Sequence, residues 1–270
     1  MKTRIFHCIV ALGFGLALGQ AADPTQDRVA KGVAAELPSL VSLYKHFHAN
    51  PELSFMEAET AKRLAAELRD AGLTVSTGIG GHGLVGVLKN GDGPTLLIRA
   101  DMDGLPVREE TGLPHASTKQ MADDLGNTVY TMHACGHDGH VAGLIGAARI
   151  LAEKRDSGLL PSGTIRFIFQ PSEEATDDEG KSGAMRMVDE GVMEGVDAVV
   201  GLHLGGPLPA GKIFFAAGPI MAGAAEIHIE VLGKSSHAGM PEAGVDALVL
   251  AARGVVAAQD SAPKDRSPVE

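Results

Sequence analysis

Between Ala30 and His48 the apolar residues Val33, Leu37, Leu40, Val41 and Tyr44 return at steps of three and four, which predicts a helix that Asn50-Pro51 stops. A second helical face, Ala61, Leu64, Ala65 and Leu68, runs through EAETAKRLAAELRDAG and ends at Gly72, a residue suited to the left-handed position after a helix. The period then shortens. LVGVLKNGDGPTLLIRADMD holds two apolar runs on either side of Asn90-Gly91-Asp92-Gly93, which reads as a hairpin that leaves Asp101 and Asp103 at a strand end. Residues 104–131 are polar and irregular, too long for an idle connection, so this segment is expected to be either functional or disordered.

Further along, VAGLIGAARILAEK predicts a helix, and GTIRFIFQ a strand with little polar alternation, as expected of a sheet covered on both faces. PSEEATDDEG reads as a loop, Gly183 to Asp189 as an amphipathic helix, and VDAVVGLHL and KIFFAA as strands. This alternation predicts an α/β fold with helices packed over a central sheet. After the Gly/Ala/Pro-rich stretch AAGPIMAGA the texture changes: AEIHIEVLG alternates like a half-exposed strand, KSSHAGMPEAG is a loop and VDALVLAARGVVAAQ a helix. We read this as the start of a second, α+β domain, giving residues 22–222 to the first domain and 223–270 to the second. No internal repeat or low-complexity run is present.

The 35 glycines among 270 residues are about twice the usual share and imply many tight turns. A formal net charge of −11, with no Lys/Arg cluster, argues against nucleic acid and anionic membranes as partners. At the N-terminus, Lys2 and Arg4 precede an apolar run from Ile5 to Leu18 and then small residues, the order of a secretory signal peptide. Residues 1–21 are therefore expected to be removed, and the mature chain to be periplasmic or secreted with no membrane attachment. Cys8 would leave with that segment. Cys135 then remains alone, a liability in an oxidising compartment unless buried or coordinated.

TMHACGHDGH, Thr131 to His140, places His133, Cys135, His137 and His140 within a few residues, and a solvated loop has no reason to do so. Cys135 and His137 are two apart, as are Asp101 and Asp103, a spacing at which extended backbone turns both side chains to one face. Glu173 and Glu174 are adjacent, so their side chains diverge. That suits one carboxylate on a metal and the other aimed at a water. His203 ends the apolar run VVGLH, at the strand edge where open α/β sheets place ligands. Singly, each has a bland role: a partly buried histidine, a loop charge, a turn-forming aspartate. Together they predict one cleft. A thiolate-imidazole nucleophile built on Cys135 is the competing chemistry. It has no use for so many carboxylates, which are a metal-site signature.

The segments NPELSFMEAETA, LLIRADMDGLPVREETGLPHAS, MHACGHDGHVAGLIGAA, IFQPSEE, VVGLHL and GKSSHAGMPEAGVDA resemble, in order, the amidohydrolase branch of the aminoacylase/carboxypeptidase metallopeptidases. This branch holds hippurate hydrolases, N-acyl-amino-acid hydrolases and auxin-conjugate hydrolases. The resemblance implies a catalytic domain with two divalent metal ions (manganese, zinc or cobalt) and an inserted lid or dimerisation domain, with a homodimer for the full-length form. It implies Cys135, His137, Glu174 and His203 as metal ligands, Glu173 as general base, Asp103 as the residue that orients the site, and His237 as a lid histidine reaching the substrate carbonyl. The substrate implied is an N-acyl amino acid or short peptide with a free carboxylate. A metal-acidified water would attack the amide while Glu173 shuttles its proton to the departing amine. Two features depart from the branch: Glu242 stands where histidine is often found, and Ala247 where proline is common. The family's last histidine ligand has no counterpart here, and the tail DSAPKDRSPVE drops the apolar strand pattern. The expectation is thus an incomplete chain, poorly stable and weakly active by itself. The alternative function is a catalytically impaired fragment that binds metal or acyl-amino acids.

Overall fold

The computed structural model describes residues 24–218 and 229–261. Helices α1 (Pro24–Ala49) and α2 (Ala58–Asp70) precede strands β1 (Thr74–Ile79), β2 (Gly83–Asn90) and β3 (Thr95–Asp101). A small hairpin, β4 (Gln120–Ala122) and β5 (Thr128–Tyr130), leads to helix α3 (His137–Asp156), and β6 (Gly163–Gln170), α4 (Gly183–Asp189) and β7 (Ala198–Gly201) follow. The five-stranded sheet has the order β1-β2-β6-β3-β7. β2 runs antiparallel to its neighbours β1 and β6, whereas β6, β3 and β7 run parallel, so their carboxyl ends share one edge.

Alternation along the strands sends side chains to two cores. Leu84, Leu88, Phe167 and Phe169 join Leu43, Phe47, Leu64, Leu68 and Ile145 from α1, α2 and α3 on one face. Val85, Leu97 and Ile168 meet Met187 of α4 and Val192 on the other. The expected α/β architecture is present: helices cover both faces of a mixed sheet.

The expected hairpin at Asn90–Gly93 is corrected. β6 lies between β2 and β3, pairing Leu84 with Phe169 on one side and Asp101 with Gln170 on the other. The Asn-Gly signal serves instead as a wide arch: the Asn90 side chain donates to the carbonyls of Leu160 (2.7 Å) and Pro161 (3.0 Å), and Thr164 N–H donates to Pro94 O (2.9 Å). A continuous apolar strand such as β6 gains more from two neighbours than a local hairpin would offer. Residues 104–131 are ordered by β4 and β5, by Ser117 Oγ donating to Thr131 O (2.7 Å), and by an ion pair between Glu109 and His48 (3.0 Å).

Over residues 196–217 the strand reading was too generous. β7 covers only four residues of VDAVVGLHL, and Lys212–Ala217 form no strand, leaving Ile213 and Phe215 exposed. A short apolar run needs a hydrogen-bonded neighbour to become a strand, and none pairs with it among the described residues. The described chain divides into two compact units, the first ending at Gly206 and the second beginning at Pro207. In the second unit Lys234 and Val245 form an isolated antiparallel bridge, a 3-10 turn covers Pro241–Ala243, and α5 spans Ala247–Ser261. Residues 229–233 of the expected strand AEIHIEVLG are not in a strand, while its earlier part lies outside the described residues. So do the signal segment, the domain boundary at 222/223 and the final tail from residue 262. No helix among the described residues is long and apolar enough to cross a membrane.

Candidate metal centre

At the shared carboxyl edge, β3 delivers Asp101 and Asp103, β6 delivers Glu173 and Glu174, and β7 delivers His203. The N-terminus of α3 brings Cys135 and His137 to the same place. The turn that joins those two depends on Gly136, whose φ of 85° is left-handed and suits glycine. A side chain there, or at Gly139, would meet Leu204 at 3.2 or 2.7 Å. These two glycines let the end of β7 settle on the helix, so that His203 Nε2 lies 3.4 Å from Cys135 Sγ. Cys135, His137 and Glu174 each offer an atom within 4.8 Å of the others, as do Asp101, His137, His140 and His203.

The hydrogen bonds sort these groups. His137 Nδ1 is 2.9 Å from the Asp103 carbonyl and 3.1 Å from its Oδ1, so Nδ1 carries the proton and donates. Its Nε2 is buried without a partner, 3.7 Å from Glu174 Oε1, which is also buried and unpartnered. His203 Nδ1 lies 2.7 Å from the carbonyl of Leu204 and donates to it, leaving Nε2 with its lone pair toward Cys135. Asp103 Oδ2 accepts from Ser54 Oγ (2.7 Å), Glu173 N–H (2.9 Å) and Glu174 N–H (3.0 Å), which fixes the backbone carrying both glutamates.

His140 is different. Its Nε2 accepts Leu204 N–H at 2.8 Å, so the proton sits on Nδ1, 2.5 Å from Asp101 Oδ1. Asp101 Oδ2 in turn accepts from Arg99 at 2.7 Å. With both nitrogens engaged, His140 braces the loop that bears His203 and has no lone pair for a metal. His133, the remaining histidine of the opening cluster, is buried with both ring nitrogens unpartnered, and burial lowers its pKa to about 4, so it is neutral. Sequence reasoning counted these two in the histidine-rich cluster without assigning them as ligands, and gave no role to Ser54, Glu57 or Ser172. The only signal for the latter three was their place in NPELSFMEAETA and IFQPSEE.

The electrostatics point one way. Burial opposes charge on Asp101 and Asp103, yet the hydrogen bond to His140 holds the Asp101 carboxyl well below the usual range and the hydrogen bond to His137 lowers that of Asp103. Burial likewise opposes charge on His137, but its hydrogen bond to Asp103 and the nearby carboxylates raise its pKa. Burial and the neighbouring Glu174 and Glu173 carboxylates push the Cys135 thiol up to about 12. Glu173 is raised by partial burial and by Glu174 and Asp101. An acceptor-rich pocket holding an unpartnered imidazole nitrogen, an unpartnered carboxylate oxygen and a thiol is deficient in positive charge. A borderline-soft divalent cation fits that donor set, since it would engage the orphaned atoms and lower the thiol pKa. His237 lies in the second unit and is not among the groups gathered here. Its Nδ1 accepts Gly239 N–H at 3.0 Å.

Compared with known proteins, residues 97–269 match the family described as Peptidase family M20/M25/M40. An IAA-amino acid hydrolase ILR1-like 2 of Arabidopsis thaliana is 36% identical over 86% of this chain and 49% of its own length. The N-acyl-L-amino acid amidohydrolase of Geobacillus stearothermophilus is 36% identical over 91% of this chain and 62% of its own. Among solved structures, the YXEP protein of Bacillus subtilis, a dinuclear metal binding peptidase of the M20 family, is 37% identical with a TM-score of 0.56, covering 65% of this chain and 45% of that one. The chain spans about half the length of the first of these curated relatives.

Proposed function

The chain belongs to peptidase family M20/M25/M40, and on that premise we propose that it carries the metal-binding part of an amidohydrolase acting on N-acyl amino acids, or on short peptides with a free carboxylate. The single observation that carries this reading is the pair of buried, unpartnered atoms, His137 Nε2 and Glu174 Oε1, flanked by Cys135 and His203. The activities named for the relatives support N-acyl amino acids as the substrate class, and the dinuclear metal-binding neighbour supports a pair of metal ions, for which we propose divalent manganese, zinc or cobalt.

Cys135, His137, Glu174 and His203 would hold metal. Divalent ions at such a site supply Lewis acidity, which polarises an amide carbonyl and brings the pKa of water toward ~7. The protein's own part is positional and protonic. Asp103 keeps the proton of His137 on Nδ1 and presents Nε2 to the site. Glu173, partly exposed and with a raised pKa, takes a proton from water at a side-chain oxygen and returns it to the departing amine nitrogen. His237 is the residue we propose to donate to the substrate carbonyl. Export to a periplasmic or extracellular space and assembly as a homodimer complete the proposal.

Metal content after stripping and reloading with manganese, zinc or cobalt is the test, followed by hydrolysis of a panel of N-acyl amino acids in which a full-length relative serves as positive control. Glu173→Gln should retain metal and lose hydrolysis by ~10²-fold or more wherever the parent activity is measurable. A parent chain that binds no divalent ion at any loading concentration would sink the reading.

A further inference from the structure

Ser172, immediately before the two glutamates, is fully buried and has a left-handed backbone with φ of 47°, a region that serine rarely adopts. Such a conformation persists only where the surroundings over-determine it. Every polar group of Ser172 is engaged. Its N–H donates to Glu57 Oε1 (2.7 Å) and its Oγ–H to the same oxygen (3.2 Å), while Oγ accepts Phe55 N–H (2.7 Å) and the carbonyl accepts Gly183 N–H (3.0 Å). Phe55 is itself left-handed, with φ of 64°. Glu57 occupies the N-cap position of α2 yet makes no capping bond with its side chain, and its carboxyl is completely buried. A carboxyl group taken fully out of water and directed away from the helix end beside it is there for what it touches.

We propose that Glu57 is a positioning residue: by holding Ser172 in its left-handed turn, it sets the direction in which Glu173 and Glu174 leave β6. The segment 54–57 then acts as a clasp with two legs, Ser54 on Asp103 and Glu57 on Ser172, meeting the glutamate backbone from both sides. Only the acceptor oxygen is needed at position 57. The other oxygen, Oε2, is buried without a partner, and burial raises the pKa of the group to about 7. Glutamine therefore preserves the clasp, and leucine of similar size abolishes it.

Residue-level amide exchange on the metal-free 270-residue chain tests the clasp without any assumption about activity. At pH 4, where the Glu57 carboxyl is protonated and the two proteins are equally stable, protection at Ser172, Glu173 and Glu174 should match the parent in Glu57→Gln and fall at least tenfold in Glu57→Leu. Ser172→Ala, which removes the hydroxyl leg alone, should give an intermediate loss and keeps the test decisive if the leucine variant fails to fold. Leu88→Ala, a core truncation far from the clasp, controls for general destabilisation and should lower protection at this turn no more than elsewhere. Unchanged relative protection at 172–174 in Glu57→Leu, or in Ser172→Ala where the former is unfolded, overturns the proposal.

The consequence for metal rests on the function proposed above. In a cobalt titration the parent and Glu57→Gln should bind alike and Glu57→Leu at least tenfold more weakly. A parent that binds no cobalt would refute the functional reading and leave the exchange result to decide the role of Glu57.

Discussion

Removing divalent ions with a chelator and then challenging Cys135 with a small disulfide separates a thiol kept as a ligand from one kept as a nucleophile. In the metal-free site the thiol faces Glu174, Glu173 and Asp101, and its pKa is pushed up to about 12. At pH 8 its thiolate fraction is then about one in 10⁴, against roughly a quarter for a free cysteine of pKa ~8.5. Basic thiolates are intrinsically better nucleophiles, and a Brønsted slope of ~0.45 over ~3.5 pKa units returns about 1.6 of the 3.4 decades lost. The expected net effect is a reaction ~60-fold slower than that of a free thiol, before any loss from partial burial. The rate should keep rising about tenfold per pH unit from pH 8 to 11, because a raised pKa leaves the group protonated throughout that window, whereas a free thiol levels off above pH ~9. Stopped-flow with dithiodipyridine, with mass spectrometry of the Cys135 peptide to separate it from Cys8, gives both numbers. Glu174→Gln removes a hydrogen-bonded carboxylate and should speed the reaction severalfold. A plateau below pH 9, or a rate at or above that of free cysteine, would refute the electrostatic reasoning and return the thiol-nucleophile reading to favour.

Glu57 has a folded-state pKa of about 7, above its unfolded value of ~4.5, so the folded chain binds the extra proton, and stability should decline as pH rises from ~4.5 to 7. Glu57→Gln removes that titration: urea unfolding should show it about 3 kcal/mol more stable than the parent at pH 8 and equal at pH 4. Asp101 has the opposite sign. Its folded pKa is depressed, so its contribution is present above pH ~4 and lost below it, and Asp101→Asn should flatten the acid limb of the stability curve. His140→Ala leaves Asp101 Oδ1 and Leu204 N–H without partners and should cost about 2–4 kcal/mol while keeping the metal stoichiometry, whereas His203→Ala should lower the stoichiometry. Equal loss of metal from both would make His140 a ligand. Phe167→Ala, from the fully buried centre of β6, should destabilise by about 3–5 kcal/mol in the same urea assay without changing the order of metal preference.

What the sequence disclosed follows the range of the forces involved. Helices α1, α2 and α3 and the strand β6 are written in local periodicity, and so is the arrival of Asp103, Glu173 and His203 at strand ends. The convergence of those ends needed only the rule that parallel strands present their carboxyl edges together. The misreadings came from partners distant in the chain. Asn90-Gly91 is a strong hairpin signal, and nothing within ten residues reveals that β6, more than seventy residues on, enters between the two strands. KIFFAA has strand composition but no neighbour among the described residues. The roles of His140 and His133 stayed open in the sequence because residue type and spacing cannot report a tautomer, which for His140 is set by Leu204 N–H and Asp101.

The same limit decides which acids can act. Four carboxylates crowd this edge, identical in chemistry and nearly so in position, yet their hydrogen bonds divide them. Asp103 spends Oδ2 on three donors and Oδ1 on His137, and Asp101 accepts from His140 through one oxygen and from Arg99 through the other, so both are engaged in holding the loops. Glu174 keeps a buried oxygen with no partner at all, and Glu173 stays partly exposed with a raised pKa. The hydrogen-bonded pair is tied to the bonds that hold the loops. The unsaturated pair can bind a cation, or move a proton, without disturbing them. Two aspartates thus serve as scaffold so that two glutamates one methylene longer can reach past them. A reading from composition alone would have counted four equivalent carboxylates where the hydrogen bonds set Glu173 and Glu174 apart from the two aspartates.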